Sequence, residues 1–128
     1  CNAEAVRLPL SKIQKYWFSR GAAYGIGIIC GKVSGNLEIL DFDDTSLYPE
    51  WAAKIDPAFL ASLPIVDTPT GGKHVYYRCE EIDGSKKLAS SPEGKTRIET
   101  RGQGALVVGP GSPPKTHRLC RPYTVAQG

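Results

Sequence analysis

Apolar residues in this chain recur mostly in short runs bounded by glycine, proline and polar residues, which is typical of strands. The stretch Leu37–Asp44 is the clearest of them: it begins as a buried strand and ends in three carboxylates. Successive side chains of a strand point to opposite faces, so Asp41 and Asp43 share one face and Asp44 points away. The pattern therefore predicts two carboxylates side by side at the end of a buried strand.

The remaining runs predict two helical regions and a sheet. Helices are expected at Leu10–Arg20, with Ser11 as a cap, and at Ser46–Leu63, divided at Pro57. Further strands are expected at Ile26–Gly31, Ile65–Thr68, Val75–Cys79, Lys95–Arg101 and Ala105–Val108, with an edge strand within His117–Val125. We expect two hairpins, one joining Ile26–Gly31 to Leu37–Asp43 and one turning at Gly102–Gly104. The prediction is a single α+β domain over residues 1–128, with a mainly antiparallel sheet and helices on one face.

Composition narrows the class of protein. No apolar run approaches the roughly 20 residues of a membrane-spanning helix, and the four cysteines lack the paired spacing of zinc ligands. These features predict a cytoplasmic protein with reduced thiols and no membrane contact. Because the chain begins at Cys1 and contains no methionine, we expect it to be a piece of a longer protein.

Charge is distributed unevenly along the chain. Residues 1–72 contain six Lys and Arg against eight Asp and Glu, whereas residues 73–128 contain ten against five. An acidic centre beside a basic half indicates a metal site next to a phosphate-bearing ligand. The alternative is that charges cluster by chance in loops such as Gly84-Ser85-Lys86-Lys87.

The acidic pair Asp41 and Asp43 has two interpretations. Adjacent carboxylates repel each other unless a cation lies between them, and oxygen ligands suit Mg²⁺ or Mn²⁺. The alternative is an acidic turn in which Asp44 or Thr45 caps the following helix.

Two other segments carry candidate chemistry. In Thr68–His74, backbone amides around Thr70, Gly71 and Gly72 could converge on an anion, and His74 could donate to it. An ordinary glycine hairpin is the alternative, and no P-loop pattern is present. In Ile98–Gly102, Glu99 and Arg101 share a face of one strand. They could form an ion pair with each other, or Glu99 could be a metal ligand while Arg101 binds a phosphate.

The three segments together resemble the archaeo-eukaryotic primase superfamily, specifically the primase-polymerase (prim-pol) domains of plasmid, phage and mobile-element replication proteins. Asp41-Phe42-Asp43 is similar to the family's first motif, Gly72-Lys73-His74 to its second and Ile98-Glu99 to its third. The run Arg101–Ser112 resembles the segment that follows in the family. Because family members usually have more chain before the first helix, the resemblance also leads us to expect further N-terminal residues in the parent protein.

The resemblance implies an RRM-like catalytic sheet and template-directed nucleotidyl transfer. It implies that Asp41, Asp43 and Glu99 are the catalytic residues and hold two divalent ions, Mg²⁺ or Mn²⁺. Nucleoside triphosphate would be bound by Thr70, Gly71, Gly72, His74 and Arg101. The implied partners are a DNA template and primer, and further domains of the parent protein. Template is expected on the basic half, at Lys86, Lys87, Lys95, Arg97, Arg118 or Arg121.

Two other functions fit the same residues. One is a metal-dependent nuclease or phosphodiesterase, since acidic trios also cut phosphodiesters. The other is a non-catalytic nucleic-acid-binding module, which requires exposed aromatic residues on the sheet. Tyr76 and Tyr77 are the candidates for such residues.

Overall fold

A computed structural model describes residues 8–18 and 24–128 of the chain. Its helices are α1 (Leu10–Ile13), α2 (Tyr48–Ala52) and α3 (Pro57–Ser62), and Gln14–Phe18 is π-helical. Its strands are β1 (Gly27–Ile29), β2 (Leu37–Phe42), β3 (Ile65–Asp67), β4 (Lys73–Arg78), β5 (Lys87–Ser90), β6 (Thr96–Arg101), β7 (Leu106–Val108) and β8 (Thr124–Gln127). Single 3₁₀ turns occur at Lys32–Ser34, Thr45–Leu47 and Pro114–Thr116.

The strands form two sheets whose pairs are all antiparallel. The larger sheet has six strands in the order β5-β6-β2-β4-β3-β8, and the smaller one pairs β1 with β7. This arrangement confirms the predicted α+β class with a mainly antiparallel sheet. It also places β2, which carries the acidic pair, between two neighbours near the middle of the larger sheet.

Alternation along β2 gives the sheet two different faces. On one face, Leu40 and Phe42 belong to a cluster closed by side chains from the two helices, among them Trp51 and Leu60. On the opposite face, Ile39 packs in a cluster with Cys30, Val66, Tyr76 and Val107. Asp41 follows Ile39 on this second face, so the smaller sheet, and not α2 and α3, lies beside the carboxylates.

Neither of the two predicted hairpins forms. A single bridge, Gly31 to Leu37, is all that links the Ile26–Gly31 run to β2 within the described residues, and β1 pairs with β7 instead. The Gly102–Gly104 turn likewise leads β7 away from β6. The physical reason is that a strand has only two edges, and those of β2 are filled by the longer strands β4 and β6.

Helix breaks and the sheet edges follow the prediction more closely. Pro57 begins α3, where the Asp56 carboxylate accepts a 2.8 Å hydrogen bond from the Phe59 amide, so the Ser46–Leu63 region is divided as expected. Strand β8 is the expected edge strand. Strand β5 was not predicted, because its run of Lys87, Leu88, Ala89 and Ser90 has little apolar alternation.

The N-terminal helix differs at its start. Pro9, not Ser11, occupies the position before α1, and it makes no side-chain capping bond. The Trp17 and Phe18 side chains and Gly21, which figured in that prediction, lie outside the described residues. Across residues 8–18 and 24–128 the chain has no helix with the length and apolar character that crossing a bilayer requires.

Candidate active site

Strand register brings three of the predicted site residues side by side. On β2, Asp41 lies opposite His74 of β4 on one edge and opposite Glu99 of β6 on the other. Directly opposed residues of antiparallel strands point to the same face of a sheet. Residues far apart along the chain therefore form one cluster, with Asp41, which is only 6% exposed, at its centre.

Arg101 neutralises two members of this cluster. It lies opposite Ile39, one side-chain position along the same face. Its Nη2 and Nε atoms donate to Asp41 Oδ2 at 3.0 and 3.1 Å, and Nη2 lies 2.6 Å from Glu99 Oε1. One guanidinium thus relieves the repulsion between two carboxylates, so the predicted Glu99–Arg101 ion pair is present and also includes Asp41.

Asp43 lies immediately beyond β2 on the same side as Asp41. Its amide donates to the Arg97 carbonyl at 3.0 Å, which holds the backbone against β6. The residue as a whole is exposed, but its carboxyl is partly buried. This partial burial and the repulsion from Asp41 raise the pKa of Asp43 above its ordinary value of 3.8. The positive charges of Arg101 and Lys95 act in the opposite direction and offset only part of the shift. Ionised Asp43 is therefore a source of instability in the folded chain.

Asp43→Asn is expected to stabilise the metal-free protein at pH 7. A carboxyl with a raised folded pKa binds its proton more tightly in the folded state, so stability falls as pH rises from 3.8 through the folded pKa. Removing the charge should raise Tm by about 1–3 °C at pH 7 and leave it unchanged at pH 3. Thermal melts in EDTA at both pH values measure this. A lower Tm at pH 7 would show that Asp43 is not in repulsion.

Asp44 caps the turn that follows β2, which was the alternative interpretation of this acidic segment. Its Oδ1 accepts from the Ser46 amide at 3.0 Å and from the Ser46 hydroxyl at 2.6 Å, and its Oδ2 accepts from Arg97. These bonds lower the pKa of Asp44 to about 2. The acidic segment thus contains a capping carboxylate, Asp44, and a pair of carboxylates, Asp41 and Asp43, on the opposite face of the sheet.

His74 is buried beside Asp41, and its burial favours the neutral imidazole. Burial lowers the pKa of His74 below its ordinary value of 6.5, against the pull of the Asp41 carboxylate, whose Oδ1 lies 3.5 Å from Nε2. Nδ1 is buried and has no hydrogen-bond partner among the described residues. The Tyr123 ring lies against the imidazole, with ring centroids 5.9 Å apart.

The Thr68–Gly72 turn is closed largely by its own hydrogen bonds. The Gly71 amide donates to the Thr68 carbonyl at 2.9 Å, and the Gly72 amide donates to Thr68 Oγ1 at 3.0 Å. Gly71 has φ +87°, and a Cβ at Gly72 would overlap the Phe42 carbonyl, so both glycines are needed to hold the turn against β2. Thr68 and the exposed Thr70 are the members of the turn that line the adjoining cavity.

A cavity of about 270 Å³ opens over this cluster. Its polar side is lined by Asp41, Asp43, Thr68, Thr70, His74 and Arg101, and its other side by Leu106, Val107, Val108, His117 and Tyr123. A polar wall facing an apolar and aromatic wall suits a ligand that joins a charged group to a ring system.

The aromatic side of the cavity was not predicted as part of a site. His117 and Tyr123 come from the segment between β7 and β8, where the His117 ring meets the edge of Tyr123 with centroids 6.2 Å apart. The available signal was a histidine and a tyrosine in a proline-rich segment with no periodic pattern. Ser112 contributes indirectly, because its buried hydroxyl accepts from the Ile26 amide at 2.8 Å and anchors this segment beside β1.

Comparison with known protein families shows which family the chain belongs to. The family model described as Prim-Pol, "bifunctional DNA primase/polymerase, N-terminal", matches residues 6–128. The chain belongs to the Prim-Pol family. No curated protein matches the chain. For a Prim-Pol domain, membership implies primase- or polymerase-type nucleotidyl transfer acting on nucleotides and DNA.

The donor atoms of this Prim-Pol site fit divalent cations in their chemistry. Asp41 and Asp43 line the cavity, Glu99 lies opposite Asp41 and lines an adjoining groove with Asp43, and oxygen ligands of this kind suit Mg²⁺ or Mn²⁺. Among residues 8–18 and 24–128, no three His, Cys, Asp or Glu side chains are already arranged to hold a metal ion. The Arg101 guanidinium lies between Asp41 and Glu99, so a positive charge already compensates these two carboxylates.

Proposed function

We propose that this domain catalyses template-directed nucleotidyl transfer as the catalytic core of a DNA primase-polymerase. The observation that carries the proposal is the register that sets Asp41 between His74 and Glu99 at the floor of a cavity. Family membership supports the reaction class.

Asp41, Asp43 and Glu99 are proposed to hold two divalent ions, Mg²⁺ or Mn²⁺. Bound there, such ions would activate a 3′-hydroxyl and neutralise the charge that develops on the leaving pyrophosphate. The chain's own task is to position the two substrates, because phosphoryl-type transfers depend mainly on alignment and charge neutralisation.

The triphosphate is proposed to lie against His74, Thr70 and the freed guanidinium of Arg101, with Gly71 and Gly72 shaping the turn beneath it. Arg101 suits this role because its planar fork can contact two phosphate oxygens at once. The nucleoside would then face the wall that includes Tyr123 and Leu106.

The proposed partners follow from the reaction. They are nucleoside triphosphates, a DNA template and primer, and further domains of a longer parent protein that supply unwinding or accessory functions. We propose the cytoplasm as the place of action, because template and nucleotides meet there.

The structure weighs against the non-catalytic binding module. Tyr76 is only 8% exposed, and the Tyr77 hydroxyl donates to Glu38 at 2.6 Å. Neither tyrosine of β4 therefore presents the exposed stacking surface that such a module uses.

The deciding experiment incubates the domain with Mn²⁺ or Mg²⁺, labelled nucleotides and a template, with and without a primer. Extension of the strand in the order set by the template supports the proposal. Metal-dependent shortening of the strand without nucleotides would assign a nuclease instead, and absence of any incorporation would contradict the proposal.

His74→Phe is expected to weaken nucleotide binding about 10-fold or more while leaving DNA affinity unchanged. Phenylalanine keeps a ring against Tyr123 and removes both nitrogen atoms, so the loss is that of a charge-assisted hydrogen bond to phosphate, worth roughly 1.5–3 kcal/mol. Fluorescence titration with nucleotide, beside titration with DNA, measures the two affinities. A variant that lost only DNA affinity would show that the role of His74 is misassigned.

A further inference from the structure

A second groove adjoins the cavity over the carboxylate cluster. It has a volume of about 680 Å³ and shares Asp43 and Thr70 with the first cavity. Glu99 also faces this groove. The remaining lining residues are Lys87, Lys95, Thr96, Arg118 and Leu119. Asp43 therefore stands where the two spaces meet.

Three of these lining residues carry a positive charge that no close ion pair among the described residues neutralises. Lys87, Lys95 and Arg118 are exposed, and none of them forms an ion pair within the part of the chain that the structure describes. They come from three separate segments: β5, the β5–β6 connection and the segment between β7 and β8. Such convergence on one groove is not expected of lysines that merely solvate a single loop.

Other cations of the basic half are engaged elsewhere. Lys86 Nζ lies 2.7 Å from Asp83 Oδ2, and Arg97 Nη2 lies 2.5 Å from Asp44 Oδ2. Among the residues at which template was expected, Lys87, Lys95 and Arg118 line the groove, whereas Lys86 and Arg97 are paired and do not line it. A polyanion in the groove would meet Lys87, Lys95 and Arg118 rather than the whole basic half.

We propose that this groove binds the 3′-terminal segment of a DNA primer strand, with Lys87, Lys95 and Arg118 contacting its phosphates. The inference rests on the proposed function. Nucleotidyl transfer brings the attacking 3′-hydroxyl and the nucleotide to the carboxylates from different sides. The first cavity has the features for the nucleotide, so the basic groove on the other side of Asp43 receives the primer. Leu119, which is 45% exposed, gives the strand an apolar surface beside its phosphates.

The test measures DNA binding apart from catalysis. Fluorescence anisotropy in EDTA compares a labelled primer–template with the template strand alone, over a range of salt concentrations. The variants are Lys87→Ala, Lys95→Ala, Arg118→Ala and the triple variant. Lys86→Ala is the matched control, because it removes a neighbouring lysine that pairs with Asp83. Thermal melts confirm that each exposed substitution leaves the fold intact.

Each single variant is expected to weaken primer–template binding about 3- to 10-fold, and the triple variant about 100-fold. The slope of log affinity against log salt should fall by about 0.7–0.9 for each lost phosphate contact. Template alone should lose much less, nucleotide binding should not change, and Lys86→Ala should stay within about twofold of the unaltered protein.

Several results would overturn the inference. They are a triple variant that binds primer–template as tightly as the unaltered protein, an equal loss for template alone, or a loss for Lys86→Ala equal to that for Lys87→Ala. Failure of the proposed function looks different. In that case the unaltered protein incorporates no nucleotide, while the groove variants still lose affinity for the primer end.

Discussion

Asp43→Asn is expected to lower nucleotide incorporation by about 10³-fold or more, with the fold intact. A carboxylate that holds a catalytic cation contributes several kcal/mol to transition-state stabilisation, and each 1.36 kcal/mol is tenfold in rate. Asn keeps the size of the side chain and removes the charge. Because Asp43 is exposed and destabilising, its loss should not unfold the domain. A primer-extension assay at saturating Mn²⁺ measures the effect.

Asp43 is a cleaner probe than Asp41. Asp41 is buried and accepts hydrogen bonds from Arg101, so Asp41→Ala removes the partner of a largely buried charge and destabilises the sheet as well as the site. Considered only as the removal of a repelling carboxylate, either substitution would be expected to leave the fold intact. The position of Asp41 between β4 and β6 restricts that expectation to Asp43.

Asp44→Asn is the matched control for Asp43→Asn. It changes the same residue type at the neighbouring position, where the carboxylate caps the 3₁₀ turn and pairs with Arg97. Asn also caps helix starts well, so incorporation should stay within a few-fold of the unaltered protein. Full activity in Asp43→Asn, or equal losses in both variants, would contradict the assignment of Asp43 as a metal ligand.

Local pattern was enough to predict the parts of the site that depend on alternation. Asp41 and Asp43 share a face because strand side chains alternate, and the same rule placed Glu99 with Arg101. The approximate positions of most strands followed from apolar runs bounded by glycine and proline. These features depend on residues close together in sequence, which is why they can be read from it.

Strand order could not be predicted in the same way. The short connection between β1 and β2 favoured a hairpin, yet the edges of β2 are taken by strands with longer registers. Competition of this kind depends on the lengths and apolar faces of all strands together. The cross-strand position of Arg101 follows from that register, so its contact with Asp41 was also beyond local pattern.

The contact of Arg101 with both carboxylates leads to the second large expected effect. In the structure the guanidinium lies between Asp41 and Glu99, so a cation held by both carboxylates would compete with it for their oxygen atoms. In the proposed function, displacement by the cation would free Arg101 to contact the triphosphate. Metal binding and nucleotide binding should therefore be coupled through this one side chain.

Arg101→Gln is expected to bind Mn²⁺ about 10-fold more tightly and nucleotide about 10-fold more weakly at saturating Mn²⁺. Removing the competing charge favours the cation, whereas losing the fork weakens the grip on phosphate; tenfold corresponds to about 1.4 kcal/mol in each case. Without metal, the unrelieved carboxylates should lower Tm, and added Mn²⁺ should raise Tm more than in the unaltered protein. Calorimetric titration and thermal melts measure these effects.

Arg101→Lys is the control, since lysine keeps the charge but loses the planar fork. It should bind Mn²⁺ nearly as the unaltered protein does and still bind nucleotide more weakly. If Arg101→Gln bound Mn²⁺ more weakly instead, Arg101 would be organising the carboxylates for the metal rather than competing with it. If its nucleotide affinity were unchanged, the guanidinium would belong to the carboxylate cluster alone, and the triphosphate would depend on His74 and Thr70.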